Sequence, residues 1–516
     1  MLEDTGLLEE IATLKACLAA SEERSSRKDE RIARLEKLVA AFRQAAFGRR
    51  SEKSDPDQFE LALEDLETAI AAVYAEEDAE DRAARRPAKP RAANRGTLPK
   101  HLPRVEEVIE PESLICACGG GLHCIGEDVS ERLDVIPAQF RVIVTRRPKY
   151  ACRSCTDGVL QALAPARLIP GGLPTEATVA HVLVSKYADH LPLYRQAQIY
   201  SRQGVNLDRS TLADWVGRAA FELRPVHDAL MADLKRSTKL FMDETRAPVL
   251  DPGSGKTRTG YFWALARDDR PWSGTSPPGV VFTYAPGRGG QHAERILQGF
   301  GGVLQVDGYA GYNRLIAPDR AGPDIHLAYC WAHARRKLIE ITRTNPAPIA
   351  QEGVSFIREL YAIETEIRGL AQGARVAVRQ DRSAPIIARI NDWLIHYRAR
   401  VSAKSPLGEA LSYIAKYWGG LGRFLTDGRI EIDSNTVERT IRPIALSRKN
   451  ALFAGHDVGA ENWAVIASLI ETCKMNGVDP HAWLAATLGA IVAGHKQSRI
   501  NDLLPWNGRP GAPLAD

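Results

Sequence analysis

The chain has 516 residues, which is too long for one ordinary domain and predicts three or four. Its formal net charge is only +4, so any binding to nucleic acid has to rely on local basic segments. No apolar run is long enough to span a bilayer, and the acidic start Met1–Asp4 lacks the basic and apolar parts of a signal peptide. We therefore expect a cytosolic protein whose eight cysteines are metal ligands or free thiols rather than disulfides.

The N-terminal part of the chain predicts helices followed by a charged linker. Residues 7–46 carry a heptad seam that is apolar at both ends and polar in the middle, which favours a self-associating coiled coil over a lone packed helix. A shorter helix has an apolar face from Phe59 to Val73. Residues 76–81 are acidic, and residues 82–104 hold basic residues and four prolines without an acid. Such a linker cannot build a core, and it either contacts a phosphate backbone or is a solvated tether.

Five of the eight cysteines lie between residues 116 and 155. Four of them form a regular C-x-x-C pair and an irregular C-x-C pair, with the strand-like run 141–145 between the pairs. Two cysteine knuckles on a small β-hairpin are typical of a zinc ribbon, in which thiolate ligation replaces a core. The predicted Zn²⁺ ligands are Cys116, Cys118, Cys152 and Cys155. Because the first spacing is irregular, Cys124 or His123 could replace one ligand, and the alternative to a zinc site is a set of buried free thiols.

The next segment, residues 175–222, predicts a helix-turn-helix. Thr175 caps a first helix, a second helix leads to a turn that contains Gly204, and a third helix runs from Ser210 through Arg218. This outline is shared by DNA-binding proteins and by ordinary helical hairpins, and DNA binding is slightly favoured.

Two short apolar runs each deliver an acid to the edge of a predicted sheet. Asp243 follows residues 240–242, and Asp307 follows residues 303–306 and is itself followed by Gly308. Two further strand-like runs and a helix lie between them, which predicts a mixed α/β sheet. Two such acids and a third can hold a pair of divalent ions for phosphoryl chemistry, and an oxygen-only ligand set suits Mg²⁺ or Mn²⁺ better than Zn²⁺.

Glu438 is the favoured third acid. It falls in the first turn of a predicted helix capped by Ser434 or Asn435, where the helix dipole favours negative charge. The alternative is a surface ion pair with Arg442, worth a few tenths of a kcal/mol. Two further candidates for the same role are Asp433 and Glu431.

Basic residues near these acids are candidates for holding a DNA backbone. His333, at a predicted strand–helix junction, could contact a phosphate, orient water or bind metal, or could be purely structural. A zinc site of Cys330 and His333 lacks further ligands and is disfavoured. Residues 335–425 predict a helical insertion. The predicted DNA-binding arginines are Arg335, Arg336, Arg439 and Arg442.

Motifs spread over nearly the whole chain resemble those of the IS66-type transposases of bacterial insertion sequences. The matching segments are 47–53, 125–131, 148–152, Met242–Thr245, Gln305–Tyr309, Cys330–Arg336 and Ser434–Arg439. The resemblance implies a ribonuclease H-like catalytic domain with a DDE triad of Asp243, Asp307 and Glu438. It also implies an N-terminal helical segment, a zinc-finger-like segment, a helix-turn-helix and a requirement for small accessory proteins of the same element.

We therefore expect a multidomain α+β protein of the bacterial cytoplasm, associated with the nucleoid when bound to DNA. The expected activity is metal-dependent DNA cleavage at insertion-sequence ends and strand transfer into target DNA, by a homo-oligomer joined through the coiled coil. The competing hypotheses are a non-catalytic DNA-binding regulator derived from a transposase and a plain nuclease. The expected segments are 1–75 (coiled coil), 76–104 (linker), 105–165 (zinc-finger-like), 166–235 (helix-turn-helix), 236–455 (catalytic domain with an insertion at about 335–425) and 456–516 (helical tail).

Overall fold

The computed structural model describes residues 15, 68, 71, 98, 100, 102–117, 119–136, 139–154, 158–251, 256–344, 347–451 and 453–507. The predicted coiled coil at 7–46 lies outside these residues, apart from Lys15. Thr68 and Ala71, from the second predicted N-terminal helix, are helical and buried. They pack tightly on Gly217, where an added Cβ would lie 1.9 Å from the carbonyl oxygen of Thr68. This part of the N-terminal segment is therefore docked on the body of the protein.

A four-stranded sheet comes first among the longer described segments. Its strands are β1 Arg104–Val108, β2 Leu122–Ile136, β3 Gln139–Cys152 and β4 Val159–Gln161. β3 pairs in parallel with β1 and antiparallel with β2 and β4. Burial alternates along much of β3, as expected for a strand with one face on a core, and Phe140, Val142 and Val144 join the main core of the protein.

Three helices connect this sheet to the main sheet. They are α1 Glu176–Tyr187, α2 Leu193–Arg202 and α3 Arg209–Lys235. The predicted cap is present, because the Thr175 side chain accepts a hydrogen bond of 3.3 Å from the Thr178 N–H. α3 runs through the main core, and residues 215–220 along its length are all buried.

The main sheet has five strands among the described residues. They are β5 Lys239–Asp251, β6 Lys256–Arg267, β7 Gly279–Ala285, β8 Gly302–Val306 and β9 Ile325–Tyr329, in the order β7-β6-β5-β8-β9. β5, β6 and β7 are antiparallel neighbours, while β8 and β9 run parallel to β5. Helix α4 Gly290–Ile296 lies between β7 and β8, and short 3₁₀ helices span Arg270–Trp272 and Ala310–Ile316. The mixed α/β sheet predicted from the sequence is confirmed.

A helical insertion follows β9 and builds a second core. Its helices are α5 Trp331–Thr344, α6 Pro348–Glu366, α7 Gln372–Val378, α8 Ala384–Arg398, α9 Pro406–Lys416 and α10 Trp418–Leu421, with a π-helix at Arg379–Ser383 and a 3₁₀ helix at Arg423–Leu425. Trp331, Trp393 and Phe424 are buried in this core, and Trp418 packs against its edge. The insertion therefore has its own hydrophobic support beside the sheet.

The chain closes with helices that cover the sheet. They are α11 Asn435–Ala451, α12 Asp457–Met475, α13 Pro480–Val492 and a 3₁₀ helix at Gln497–Leu503. α12 protects the edge strand β7, because the hydroxyls of Ser468 and Thr472 accept hydrogen bonds from the backbone N–H groups of Phe282 and Val280. None of the helices in the described ranges combines the length and apolarity needed to cross a membrane.

Candidate active site

Two predicted acids lie at the same edge of the main sheet. The parallel pairing of β5 with β8 ends with Phe241 beside Gln305. Asp243 and Asp307 each come two residues later, so they project at the same level of neighbouring strands, and both are partly buried. One detail differs from the expectation: Asp243 does not end its strand, because β5 continues to Asp251 by pairing with β6.

Repulsion and burial keep a proton on Asp243. Its pKa is raised to about 8, first because burial disfavours the charged carboxylate and then because the carboxylates of Glu244, Asp307 and Glu438 lie near it. A hydrogen bond of 2.8 Å from the Glu244 N–H to Asp243 Oδ1 acts in the opposite direction. The charges of Asp307 and Glu438 thus both act on Asp243, and a divalent cation would neutralise such a cluster of carboxylates.

Close packing fixes the backbone after Asp307. The Tyr309 N–H donates to Asp307 Oδ1 at 2.8 Å, and the Tyr417 hydroxyl donates to the Gly308 carbonyl at 2.5 Å. A Cβ added at Gly308 would lie 2.5 Å from the ring of Tyr413. Glycine is needed here because these tyrosines approach the backbone directly.

A buried network beside Asp243 was missed by the sequence reasoning. The carboxylate of Glu244 is fully buried and accepts hydrogen bonds from Arg288 Nε at 2.6 Å and from the Tyr312 hydroxyl at 2.5 Å. The pKa of Glu244 is raised above its ordinary value, mainly because burial disfavours the charged carboxylate. The hydrogen bonds from Tyr312 and Arg288 partly offset this effect. Arg288 also stacks on the ring of Tyr309, with its guanidinium carbon 3.8 Å from the ring centroid. The Arg288 side chain remains partly exposed and offers a positive charge beside the acids.

Glu438 lies in the first turn of α11, as predicted. The helix begins at Asn435, the Ser434 carbonyl accepts from the Glu438 N–H, and the Ser434 hydroxyl donates to Glu438 Oε1 at 3.3 Å. The two alternative acids have other partners. Asp433 accepts from Asn435 and from the Tyr361 hydroxyl, and Glu431 accepts from Arg375 at 2.8 Å.

Gln305 connects the acid-bearing strand to the start of α11. Its side-chain amide donates to the Glu431 carbonyl at 2.9 Å, and its carbonyl oxygen accepts from the Glu431 N–H at 2.9 Å. Gln305 is buried at the end of β8, two residues before Asp307. The sheet therefore holds the loop that leads to Glu438.

Glu438 also meets the junction between β9 and α5. Ligand atoms of Cys330, His333 and Glu438 lie within 4.8 Å of one another, and His333 Nδ1 is 3.8 Å from Glu438 Oε1. Cys330 and His333 therefore have a third potential donor nearby, which the sequence did not predict. The third donor is distant in sequence and reaches the pair only when α11 packs against this junction. Burial raises the pKa of the Cys330 thiol to about 11.

The predicted DNA-binding arginines are on two neighbouring helices. Arg335 and Arg336 are exposed on α5, and Arg439 and Arg442 are exposed on α11. Arg336 Nη2 lies 3.6 Å from Glu438 Oε2. Within the described residues, His333 and Arg336 are the basic side chains within 4 Å of the Glu438 carboxylate, which speaks against the surface pair with Arg442.

Two of the predicted zinc ligands, Cys116 and Cys152, lie at one end of the first sheet. Cys116 lies in a turn closed by hydrogen bonds to Gly119 and Gly120, and Leu122, just after this turn, pairs with Cys152 on β3. Cys118 and Cys155 lie outside the described residues. Cys124 is exposed and stands opposite Tyr150, two residue pairs along from Cys152, while His123 points to the other face. The complete ligand set remains a prediction.

The predicted helix-turn-helix corresponds to α2, a turn and α3. Gly204 in the turn has a φ of 80°, a conformation that suits glycine. α3 is buried through its middle, so the part of it open to a DNA groove is its beginning, near Arg209 and Ser210. α2 exposes Arg195 and Arg202. DNA contact by this unit remains a prediction.

The sheet and the acids together define a mixed α/β multidomain protein with clustered carboxylates beside the main sheet. The family model described as "Transposase IS66 family" matches residues 171–462. Three more models match: "zinc-finger binding domain of transposase IS66" at 113–156, "IS66 C-terminal element" at 468–506 and "Transposase C of IS166 homeodomain" at 34–106. The chain belongs to the IS66 transposase family, as its motifs predicted. These matches support zinc binding by the cysteine segment and DNA binding by the chain.

Similar proteins occur in Sinorhizobium fredii. "Uncharacterized protein y4jD" is 46% identical over 477 residues, covering 91% of this chain and 93% of the relative. "Uncharacterized protein y4qI" is 46% identical over 512 residues, covering 98% and 93%. "Uncharacterized protein y4hP" is 38% identical over 496 residues, covering 92% and 88%. The similarity therefore extends over nearly the full length of each chain.

Proposed function

We propose that this chain is a DDE-type transposase that cleaves DNA at the ends of an insertion sequence and joins those ends to target DNA. The proposal is supported by the strand register, which brings Asp243 and Asp307 to one edge of the main sheet, and by the effect of the Glu438 carboxylate on Asp243. The raised pKa of Asp243, caused by burial and by the charges of the other acids, supports it.

The sheet topology supports a ribonuclease H-like catalytic domain. Three antiparallel strands are followed by two strands parallel to the first, with the first strand in the centre. Asp243 comes from that central strand and Asp307 from its parallel neighbour. Glu438 is supplied by a helix after the insertion.

The three acids fit Mg²⁺ or Mn²⁺, since each offers oxygen ligands and the deprotonated set is strongly anionic. When bound, two such ions would lower the pKa of water or of a DNA 3′-hydroxyl and stabilise the leaving oxygen. In this scheme Asp243 would hold an ion as the deprotonated carboxylate. Glu244 stays paired with Arg288 and Tyr312 and keeps Asp243 in position.

The remaining parts of the chain are proposed to hold DNA and other chains. Arg335, Arg336, Arg439 and Arg442, together with His333, would contact the DNA backbone near the acids. The cysteine segment would hold Zn²⁺ through Cys116, Cys118, Cys152 and Cys155. The predicted coiled coil would join copies of the chain at the nucleoid, and small accessory proteins of the same element would complete the machinery.

The test is cleavage and joining of a labelled duplex that carries the ends of the encoding element, in Mg²⁺ and with the accessory proteins present. Asp307→Asn should abolish both reactions while leaving DNA binding intact. Asp324→Asn is the matched control, because Asp324 is exposed just before β9, at the opposite end of the sheet. Equal activity of wild type and Asp307→Asn would refute the assignment.

The same assay separates the competing functions. A non-catalytic regulator would bind the duplex without cutting it, and Asp307→Asn would change nothing. A plain nuclease would cut without joining the ends.

A further inference from the structure

We propose that Cys330, His333 and Glu438 form a second metal site, which takes a thiophilic divalent ion such as Zn²⁺ and shares Glu438 with the catalytic acids. Cys330 directly follows β9, His333 lies in the first turn of α5, and Glu438 lies in the first turn of α11. Their ligand atoms already lie within 4.8 Å of one another, and the closest approach of His333 to Glu438 is 3.8 Å. Ligands of a tetrahedral Zn²⁺ lie ~3.3–3.7 Å apart, so small side-chain rotations close the site.

The chemistry of the three donors separates this site from the acid site. Sulfur, imidazole nitrogen and one carboxylate oxygen favour Zn²⁺ over Mg²⁺, whereas the three acids favour Mg²⁺. His333 Nδ1 is buried and has no hydrogen-bond partner among the described residues. An ion between the three side chains would satisfy this nitrogen. Three protein ligands leave one position of a tetrahedron open, as in zinc sites that exchange a ligand.

Ser434 organises two of the ligands at once. Its backbone N–H donates to Cys330 Sγ at 3.3 Å, and its hydroxyl donates to Glu438 Oε1 at 3.3 Å. Outer contacts of this kind orient ligands before a metal binds. The opposing group is Arg336, whose Nη2 lies 3.6 Å from the other oxygen of Glu438. Its side chain is 56% exposed and can swing into solvent when an ion takes its place.

Sharing Glu438 gives the site a regulatory consequence, which rests on the proposed function. A Glu438 carboxylate committed to Zn²⁺ beside Cys330 and His333 is withdrawn from Asp243 and Asp307. Zn²⁺ should therefore inhibit Mg²⁺-dependent cleavage by competing for Glu438.

The direct test counts zinc on the full-length chain after dialysis against buffered free Zn²⁺. Wild type should bind one more zinc ion per chain than Cys330→Ser binds. It should also bind one more than His333→Ala binds. Cys473→Ser is the matched control, because Cys473 is also a buried free thiol but lies on α12, and it should retain the wild-type count. If Cys330→Ser fails to fold, the zinc count of His333→Ala decides between the outcomes. His333 is partly exposed, so its replacement disturbs the fold less. The same zinc count in wild type and in the folded variants would overturn the proposal.

The consequence is tested in the cleavage assay with added Zn²⁺. Cys330→Ser should need at least about tenfold more Zn²⁺ than wild type for half-inhibition. Equal sensitivity would overturn the regulatory role. If no cleavage occurs in Mg²⁺ for any variant, the proposed function fails, while the zinc count still decides whether the site exists.

Discussion

Replacing Glu364 by Gln is expected to destabilise the helical insertion by about 3–5 kcal/mol. Glu364, on α6, accepts hydrogen bonds of 2.7 Å from Arg379 Nε and Nη2 and one of 3.1 Å from Arg375. The side chains of Arg379 and Arg375 are 0% and 1% exposed. Without the Glu364 charge, Arg379 loses its carboxylate partner and Arg375 retains Glu431. Breaking one side of such a network costs more than the network contributes, because it leaves a buried charge uncompensated.

The remaining hydrogen bonds of Arg379 determine how large the loss of stability is. Its guanidinium also donates to the carbonyls of Phe424 at 2.8 Å, Asp427 at 3.1 Å and Ile430 at 2.9 Å. These carbonyls still solvate part of the charge after the substitution, and the glutamine oxygen can accept one hydrogen bond. The cost should therefore fall near the lower end of the range, at about 3 kcal/mol.

The same helix provides the control. Glu359 on α6 pairs with Arg389 through hydrogen bonds of 3.0 and 3.2 Å, but the two side chains are 41% and 51% exposed. Glu359→Gln should cost about 0–1 kcal/mol, because solvent screens an exposed pair. The two substitutions are chemically identical and differ in burial.

Hydrogen–deuterium exchange of peptides from α6 to α8 measures the local opening free energy. Glu364→Gln should speed exchange by about a hundredfold, while Glu359→Gln should change it by about fivefold or less. Similar exchange rates in the two variants would refute the argument that burial makes the Glu364 network costly to break.

Two further predictions concern the acids. Burial and neighbouring carboxylates raise the pKa of Asp243 from 3.8 to about 8. The metal-free protein should therefore lose stability as the pH rises towards 8, because folded Asp243 must then give up a proton that the unfolded chain has already lost. Mg²⁺ should then raise the melting temperature more at about pH 8.5 than at about pH 6.5, and Asp243→Asn should remove this difference; a pH-independent effect in wild type would contradict it. Gly308→Ala should slow DNA cleavage by about a hundredfold, because its Cβ would lie 2.5 Å from the Tyr413 ring and shift Asp307. Gly373→Ala, in a helix with open space around it, should cleave normally, and equal rates for both variants would contradict the packing argument.

The residues of the site that the sequence could predict are those marked by local sequence signals. Asp243 and Asp307 each follow an apolar run that must be a buried strand, and Gly308 marks the turn away from the sheet. Glu438 was found because a capping residue precedes it by one helical turn. Each of these signals depends on neighbours within a few residues, so they do not require knowledge of the fold.

The contacts that sequence could not predict join distant segments. Glu244 stands next to Asp243 in a recognisable motif, but its partners Arg288 and Tyr312 come from a glycine-rich loop and a 3₁₀ helix with no periodic signal. Cys330 and Glu438 are separated by the whole insertion, and only the packing of α11 brings them together. The end of β5 was also misjudged, because pairing with β6 extends a strand beyond the point where its apolar run stops.

Long-range contacts also connect the helical insertion to the position of Glu438. The loop before α11 is held on one side by Gln305 of the sheet and on the other by Arg375 of the insertion, both through Glu431. Glu431 is thus engaged by its backbone and by its side chain at once, seven residues before Glu438. The insertion thus adds an anchor to the one that the sheet provides, so its core supports the position of Glu438.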